Sequence, residues 1–252
     1  MRAPSEAAPR PRGFVLFALL VLIVLGILVA LGTWQLERKG WKEALVAELD
    51  RKLAAPPAEL PPRERWPKLD AATDEFRRVT FAAEFIPGEE ALVYSSGSSL
   101  RPDVTGPGYW VFAPARVADG SIIVVNRGFV PEGRQDPNTR AEGKPSGAVQ
   151  IVGAMRWPEA RGMFTPPDQP AKSLWFARDP AAMAAAKNWG VIAPFYVDQE
   201  APPAHGGLPK VGPLKPSLPN NHLQYAVTWY GLALVMLISA LFFWRSRRRG
   251  GV

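Results

Sequence analysis

The chain has 252 residues, 47% of them hydrophobic, with no cysteine, two histidines and a formal net charge of +7. The missing thiols exclude disulfides, c-type haem attachment, thiolate copper sites and thiol exchange, and two histidines do not make a multi-histidine metal centre within one chain. Nor is the charge that of a nucleic-acid binder: residues 1–13 hold three Arg and one Glu, residues 245–252 four Arg, and +7 less +2 and +4 leaves +1 between them.

After the basic tail 1–13, with Arg2, Arg10 and Arg12, comes Phe14–Leu36, a run without Asp, Glu, Lys or Arg. At ~1.5 Å rise per residue it is long enough to cross the ~30 Å hydrocarbon core as a helix. Ala30-Leu31-Gly32 offers a weak signal-cleavage site. The run is longer than the roughly 7–15 apolar residues of a signal peptide, so a retained anchor is expected. Trp34, Arg38, Trp41, Leu45, Leu49 and Leu53 then recur every three or four residues, predicting an amphipathic continuation to about Leu53. Ala54–Pro67, with five prolines, reads as a linker.

Strands are predicted at 76–86, 91–94, 109–117, 121–130, 148–156 and 191–197, with Asp119-Gly120 turning a hairpin. Ser95–Ser99 reads as a flexible loop. The alanine-rich stretch Asp179–Trp189, opened by Asp-Pro and followed by Gly190, predicts a short helix. Strands in immediate succession point to an antiparallel sheet rather than parallel βαβ units. Ala201–Pro219, with six prolines, tethers this region to a second uncharged apolar run, Leu223–Trp244, and residues 245–252 form a basic tail.

The expected architecture is an α+β membrane protein: a two-span transmembrane helical hairpin, residues 14–36 and 223–244, with a β-rich antiparallel extramembrane domain, residues 37–222, inserted between the spans. Arg245, Arg247, Arg248 and Arg249 outweigh Lys210 and Lys215 across the second span, which places both termini in the cytoplasm. The domain is then periplasmic, or in the intermembrane space of a mitochondrion. Arg38, Lys39 and Lys42 oppose this locally, but a loop of this length translocates largely regardless of charge. The basic ends also suit anionic membrane lipid.

Three constellations stand out. His222 opens the second span in Asn220-Asn221-His222-Leu223-Gln224-Tyr225, with Ala226, Trp229, Ala233 and Met236 on its helical face. It reads either as a haem-iron ligand walled by Tyr225 and Trp229 or as part of an interfacial aromatic belt. Met236 is ~21 Å further along the helix and cannot ligate the same iron. On the first span, Trp34, Gln35 and Arg38 read as a carboxylate clamp or as an arginine snorkelling beside a belt tryptophan. Arg127, in Asn126-Arg127-Gly128-Phe129-Val130-Pro131, faces a partner or ligand, or is a solvated strand-end residue, and Gly128 relieves a bend or bulge. Gly26, Ala30 and Thr33 against Ala226, Ala233 and Ala240 permit close helix packing. No nucleophile set, paired carboxylate or nucleotide motif gives catalysis an address.

Gly32-Thr33-Trp34-Gln35-Leu36 with Arg38 and Trp41-Lys42, Val125–Pro131, and Asn221-His222-Leu223-Gln224-Tyr225-Ala226 with Thr228-Trp229-Tyr230 closely resemble the surfeit locus protein 1 family of cytochrome oxidase assembly factors. The resemblance spans about residues 14–244, with Phe129 departing from the family's frequent Trp. It implies a non-enzymatic helper of haem-copper oxidase biogenesis, working with oxidase subunit I and haem a synthase. It also implies transient haem a binding, with His222 matching the suspected iron ligand and Trp34, Arg38, Arg127, Tyr225 and Trp229 around the group. A scaffold that stabilises apo-subunit I without touching haem is the other expectation.

Overall fold

The computed structural model describes residues 12–249; Arg2, Arg10 and most of the predicted N-terminal tail lie outside the described residues, as do the last three. The chain forms two compact units, one running up to Leu45 and resuming at Pro219, the other Val46–Leu218.

α1 (Arg12–Ala54), which runs from the first unit into the start of the second, is one continuous helix of 43 residues, about 64 Å long at 1.5 Å per residue. α4 (His222–Arg249) has 28 residues. Both are long and apolar enough to cross a membrane. Their apolar side chains have no protein core around them: Leu16 is 68% and Val235 62% exposed. Small residues bring the helices together. Ala226 and Ala233 are buried, and a Cβ on Gly32 would lie 2.8 Å from the Tyr230 ring. Thr33 Oγ1 sits 3.0 Å from the Tyr230 hydroxyl. Thr33, Ala226 and Ala233 thus serve as expected, whereas Gly26 faces open space and Gly32 makes the close approach.

Past Leu36, α1 is supported on its polar side by Lys39–Glu43 at 2.7 Å and Arg51–Glu48 at 2.6 Å. The expected apolar stripe stays largely uncovered. Trp41 and Leu45 are exposed, and Leu49 is its one buried member. The prolines that follow stop the helix.

The second unit contains β1 (Ala58–Glu59), α2 (Ala71–Asp74), β2 (Arg78–Phe85), β3 (Ala91–Gly97), β4 (Thr105–Val117), β5 (Ile122–Pro131), β6 (Ala148–Arg156), β7 (Leu174–Trp175), α3 (Pro180–Lys187) and β8 (Ile192–Ala201). Five strands pair in the order β2-β6-β8-β5-β4, and β4 pairs back to β2, closing a barrel. The closure depends on the length of β4. Its first part pairs with β3, and Ala115–Val117 then switches to Phe85–Ala83 of β2. The sheet is mixed rather than antiparallel, which corrects the expectation. β8 runs parallel to β5, with Val124 beside Tyr196 and Asn126 beside Asp198, and β1–β2 and β3–β7 are also parallel. Succession along the chain predicts hairpin neighbours well, but it says nothing about the strand that returns to fill a gap.

Two cores share β5. Ile123 and Val125 join Phe81, Phe85, Ile151, Met155 and Phe195 inside the barrel. Val124 and Phe129 join Phe112, Trp175, Met183, Trp189 and Tyr196 on the other face. Burial on both faces explains why β5 is apolar in succession instead of alternating. α3 covers the second core. The Asp179 carboxylate accepts from Ala182 N at 3.0 Å, Pro180 starts the helix, and Asn188 ends it in a left-handed conformation before Gly190 is reached. Asp119-Gly120 turns the β4–β5 hairpin as expected, with Gly120 at φ +82°.

Neither proline-rich stretch is a free linker. Within 54–67, β1 pairs with β2. Trp66 enters the barrel core, its Nε1 donating to the Pro61 carbonyl at 2.8 Å. At the other end, residues 208–218 form a strap. Phe129 and Lys210 exchange backbone bonds of 3.1 and 2.7 Å, and Lys215 and Ser217 donate to the carbonyls of Leu100 and Ser99 at 2.7 Å. Arg101 donates to the carbonyls of Gly212 and Val211 while its other donors hold Asp103 at 2.8 Å. The expected serine loop is therefore partly strand β3 and partly the seat of this strap.

Candidate functional site

The first unit carries the cluster that the sequence singles out. His222 is the first residue of α4 and is half-buried. Its Nδ1 lies 2.7 Å from Gln35 Oε1 on α1. A carboxamide oxygen only accepts, so the tautomer that pairs with Gln35 Oε1 carries its proton on Nδ1 and keeps the lone pair on Nε2. Metal-bound histidines are commonly oriented in this way, by a fixed acceptor at the other ring nitrogen. Neighbouring contacts hold the register. Lys42 Nζ donates to the Pro219 carbonyl just before α4 begins, and Thr33 meets Tyr230 two turns beyond His222.

Trp34, Arg38 and Trp41 form an adjoining open stripe on α1, at i, i+4 and i+7. Arg38 stacks its guanidinium 4.4 Å from the Trp41 ring centroid, so Trp41, not Trp34, is its aromatic support. No hydrogen bond or ion pair engages Arg38 among the described residues. Trp34 is 50% and Tyr225 55% exposed, and Trp229 is half-buried. The unit thus presents one oriented imidazole, one unpaired guanidinium and several open aromatic faces. That set fits a flat, apolar, carboxylate-bearing iron macrocycle: a nitrogen ligand, a cation for a carboxylate and ring surface.

Arg127 lies in the second unit and is 6% exposed, so it is not the solvated strand-end arginine of one expectation. It donates to Glu90 Oε1 at 2.8 Å and to the Gly143 carbonyl at 2.5 Å, and covers the Phe85 ring at 5.1 Å. Burial pushes its pKa down and Glu90 opposes the shift, leaving it charged. Arg140 reaches the same carboxylate. These two bonds use two of its five N–H donors, and Arg127 lines cavities of about 360 and 290 Å³ on this side of the unit. Gly128 is at a bulge, as expected. Between the pairs Trp110–Phe129 and Phe112–Asn126, β5 carries one residue more than β4. Gly128 adopts φ +115°, and a Cβ there would meet the Lys210 carbonyl oxygen at 2.5 Å.

The second unit also has a polar interior that sequence reasoning missed. Asp198 accepts from Asn126 Nδ2 at 2.6 Å and from Arg156 Nη1 at 3.0 Å, and Arg156 reaches Glu75 at 3.1 Å. Burial raises the Tyr196 pKa above its ordinary value, with the Asp198 charge adding to the shift. Partners 42 to 81 positions apart leave no local signature. Among the described residues no group of His, Asp and Glu side chains could by itself hold a metal ion.

A protein-family model described as the SURF1 family matches residues 22–234. A SURF1-like protein of Monosiga brevicollis is 35% identical over 259 aligned residues, covering 98% of this chain and 93% of its own. Surfeit locus protein 1 of Rattus norvegicus is 35% identical, over 80% of this chain and 67% of its own. Its Homo sapiens counterpart is 34% identical, over 81% and 69%.

Proposed function

The chain belongs to the SURF1 family, and on that premise we propose that it is a membrane-anchored assembly factor for haem-copper cytochrome oxidase. It holds haem a at the periplasmic membrane face and hands it to oxidase subunit I. Both termini are cytoplasmic, and the β-rich unit is periplasmic in a bacterial cell membrane or in the mitochondrial intermembrane space. Haem a synthase, as the source, and apo-subunit I, as the recipient, are its partners. It carries a group and catalyses no reaction.

The observation that supports this reading most is the His222–Gln35 contact of 2.7 Å, which engages Nδ1 and not Nε2. Haem a supplies an iron that takes a nitrogen ligand and propionates that take a cation. His222 would provide the ligand through Nε2, Gln35 would keep the ring from rotating, and Arg38 would meet a carboxylate. Trp34, Tyr225 and Trp229 offer the macrocycle aromatic surface. A single histidine with open surroundings suits a carrier, because a group held more tightly would not be released.

Deleting the gene should lower oxidase activity and the haem a content of the oxidase while haem a synthesis continues. Re-expression of the wild-type chain should restore both, and His222→Ala should not. Full restoration by His222→Ala would favour the scaffold that supports apo-subunit I without touching haem.

A further inference from the structure

The loop between β6 and β7 exposes two large apolar side chains at its tip, Met163 at 92% and Phe164 at 93%. It is not a slack segment. Arg161 Nη1 donates to Asp168 Oδ2 at 2.6 Å, Arg161 also reaches the Pro166 carbonyl, and Thr165 N bonds to the Gly162 carbonyl at 3.0 Å. Asp168 Oδ1 in turn accepts from Phe176 N at 2.9 Å, fastening the loop beside β7. The bracket therefore keeps Met163 and Phe164 in water when a looser loop could fold them back. Behind the tip stand Tyr94 and Phe176, with ring centroids 6.2 Å apart, and Tyr109, 5.9 Å from Tyr94.

We infer that this bracketed tip is a lipid-contact site through which the β-rich unit touches the membrane interface. The choice of a bilayer as occupant rests on three observations, and it depends on the reading of α1 and α4 as membrane spans. Both ends of the unit continue into helices long and apolar enough to cross a membrane, so the unit is held to the bilayer at both ends. Residues 160–167 contain no acidic side chain, and Asp168 is neutralised by Arg161, so no unpaired carboxylate opposes a headgroup layer. Phenyl and thioether groups backed by tyrosine rings are the composition that settles at the boundary between apolar chains and water.

The test uses the full chain in nanodiscs holding one copy each. Because there is no native cysteine, a spin label can be placed singly by Met163→Cys, Ser146→Cys or Leu20→Cys. Accessibility is read with oxygen, which concentrates in lipid, and with a water-soluble nickel complex. The inference predicts that a label at 163 favours oxygen, as one at 20 does, and that one at 146 favours nickel. Adding Phe164→Asp should return the label at 163 to nickel. Nickel accessibility at 163 equal to that at 146 overturns the inference. Exclusion of both reagents at 163 overturns it in favour of a protein contact. A label at 20 that favours nickel refutes the membrane reading instead, so the two failures are distinguishable.

Discussion

At the scale of single residues, the proposal depends on two different kinds of contact. Gln35 acts through His222, so Gln35→Ala should leave a ligand in place but free to rotate. Arg38 would meet a propionate directly, and the loss of one charge-assisted bond typically costs ~1.5–3 kcal/mol. Arg38→Ala should therefore weaken haem a binding by about ten- to 150-fold in a titration of purified protein. Gln35→Ala should broaden and shift the absorbance of the bound haem more than it lowers affinity. A Gln35→Ala spectrum identical to the parent's would remove Gln35 from the site. His222, Trp34, Arg38, Tyr225 and Trp229 stand out in the sequence because they cluster at the mouths of the two apolar runs, where an interfacial belt draws on the same residue types. The burial of Arg127 was not legible, because its counter-ion Glu90 lies 37 positions away and nothing local signals a buried pair. Asp103 has a comparable role in the strap. The Arg101 guanidinium bonded to it, with Lys210 beside it, holds its carboxyl well below the usual carboxylate range. The contribution is complete above the unfolded value of ~3.9 and is lost only as pH falls through the depressed folded value. It is also small, since the side chain is 47% exposed. The strap should stay fastened through mildly acidic pH, whereas Asp103→Asn should speed amide exchange at Lys210, Lys215 and Ser217 at neutral pH. Unchanged exchange would mean that the carbonyl bonds of Arg101 suffice.

At the scale of elements, hairpin signals and capping chemistry were readable and long-range pairing was not. Asp119-Gly120 specifies its turn through local φ and side-chain bonds, and Asp179-Pro180 specifies a helix start, so both could be read from a few residues. The closing pair β2–β4 and the parallel pair β5–β8 join distant segments, and no periodicity encodes which edges meet. The two proline-rich stretches misled for a related reason. Proline removes a donor and fixes φ but does not prevent docking, and Trp66 and Leu214 are both buried. Gly128 is where sheet and strap meet. Gly128→Ala puts a side chain at φ +115° and 2.5 Å from a backbone oxygen. Strain of this kind costs of order 1–3 kcal/mol. It should lower the Tm of the unit by several degrees and release the strap's exchange protection. Gly88→Ala, with φ +77° but open space around it, should lower Tm while leaving the strap protected. Equal protection in both variants would show that the strap does not depend on the close approach at Gly128.

At the scale of the whole molecule, the chain divides its charge and its chemistry. Cationic residues collect beyond the apolar runs, while the β-rich unit is near neutral and balances its buried arginines internally, as Arg156 does with Asp198 and Glu75. The oriented imidazole and the open guanidinium that the proposal uses belong to the helical unit. The central claim is thus that the helix pair, through His222, holds haem a. Its most direct test is the absorbance spectrum of the full chain purified from cells that make haem a, beside that of His222→Ala at matched membrane abundance. The account predicts a haem a spectrum in the parent that is reduced or abolished in His222→Ala. The same spectrum and stoichiometry in both proteins would contradict it.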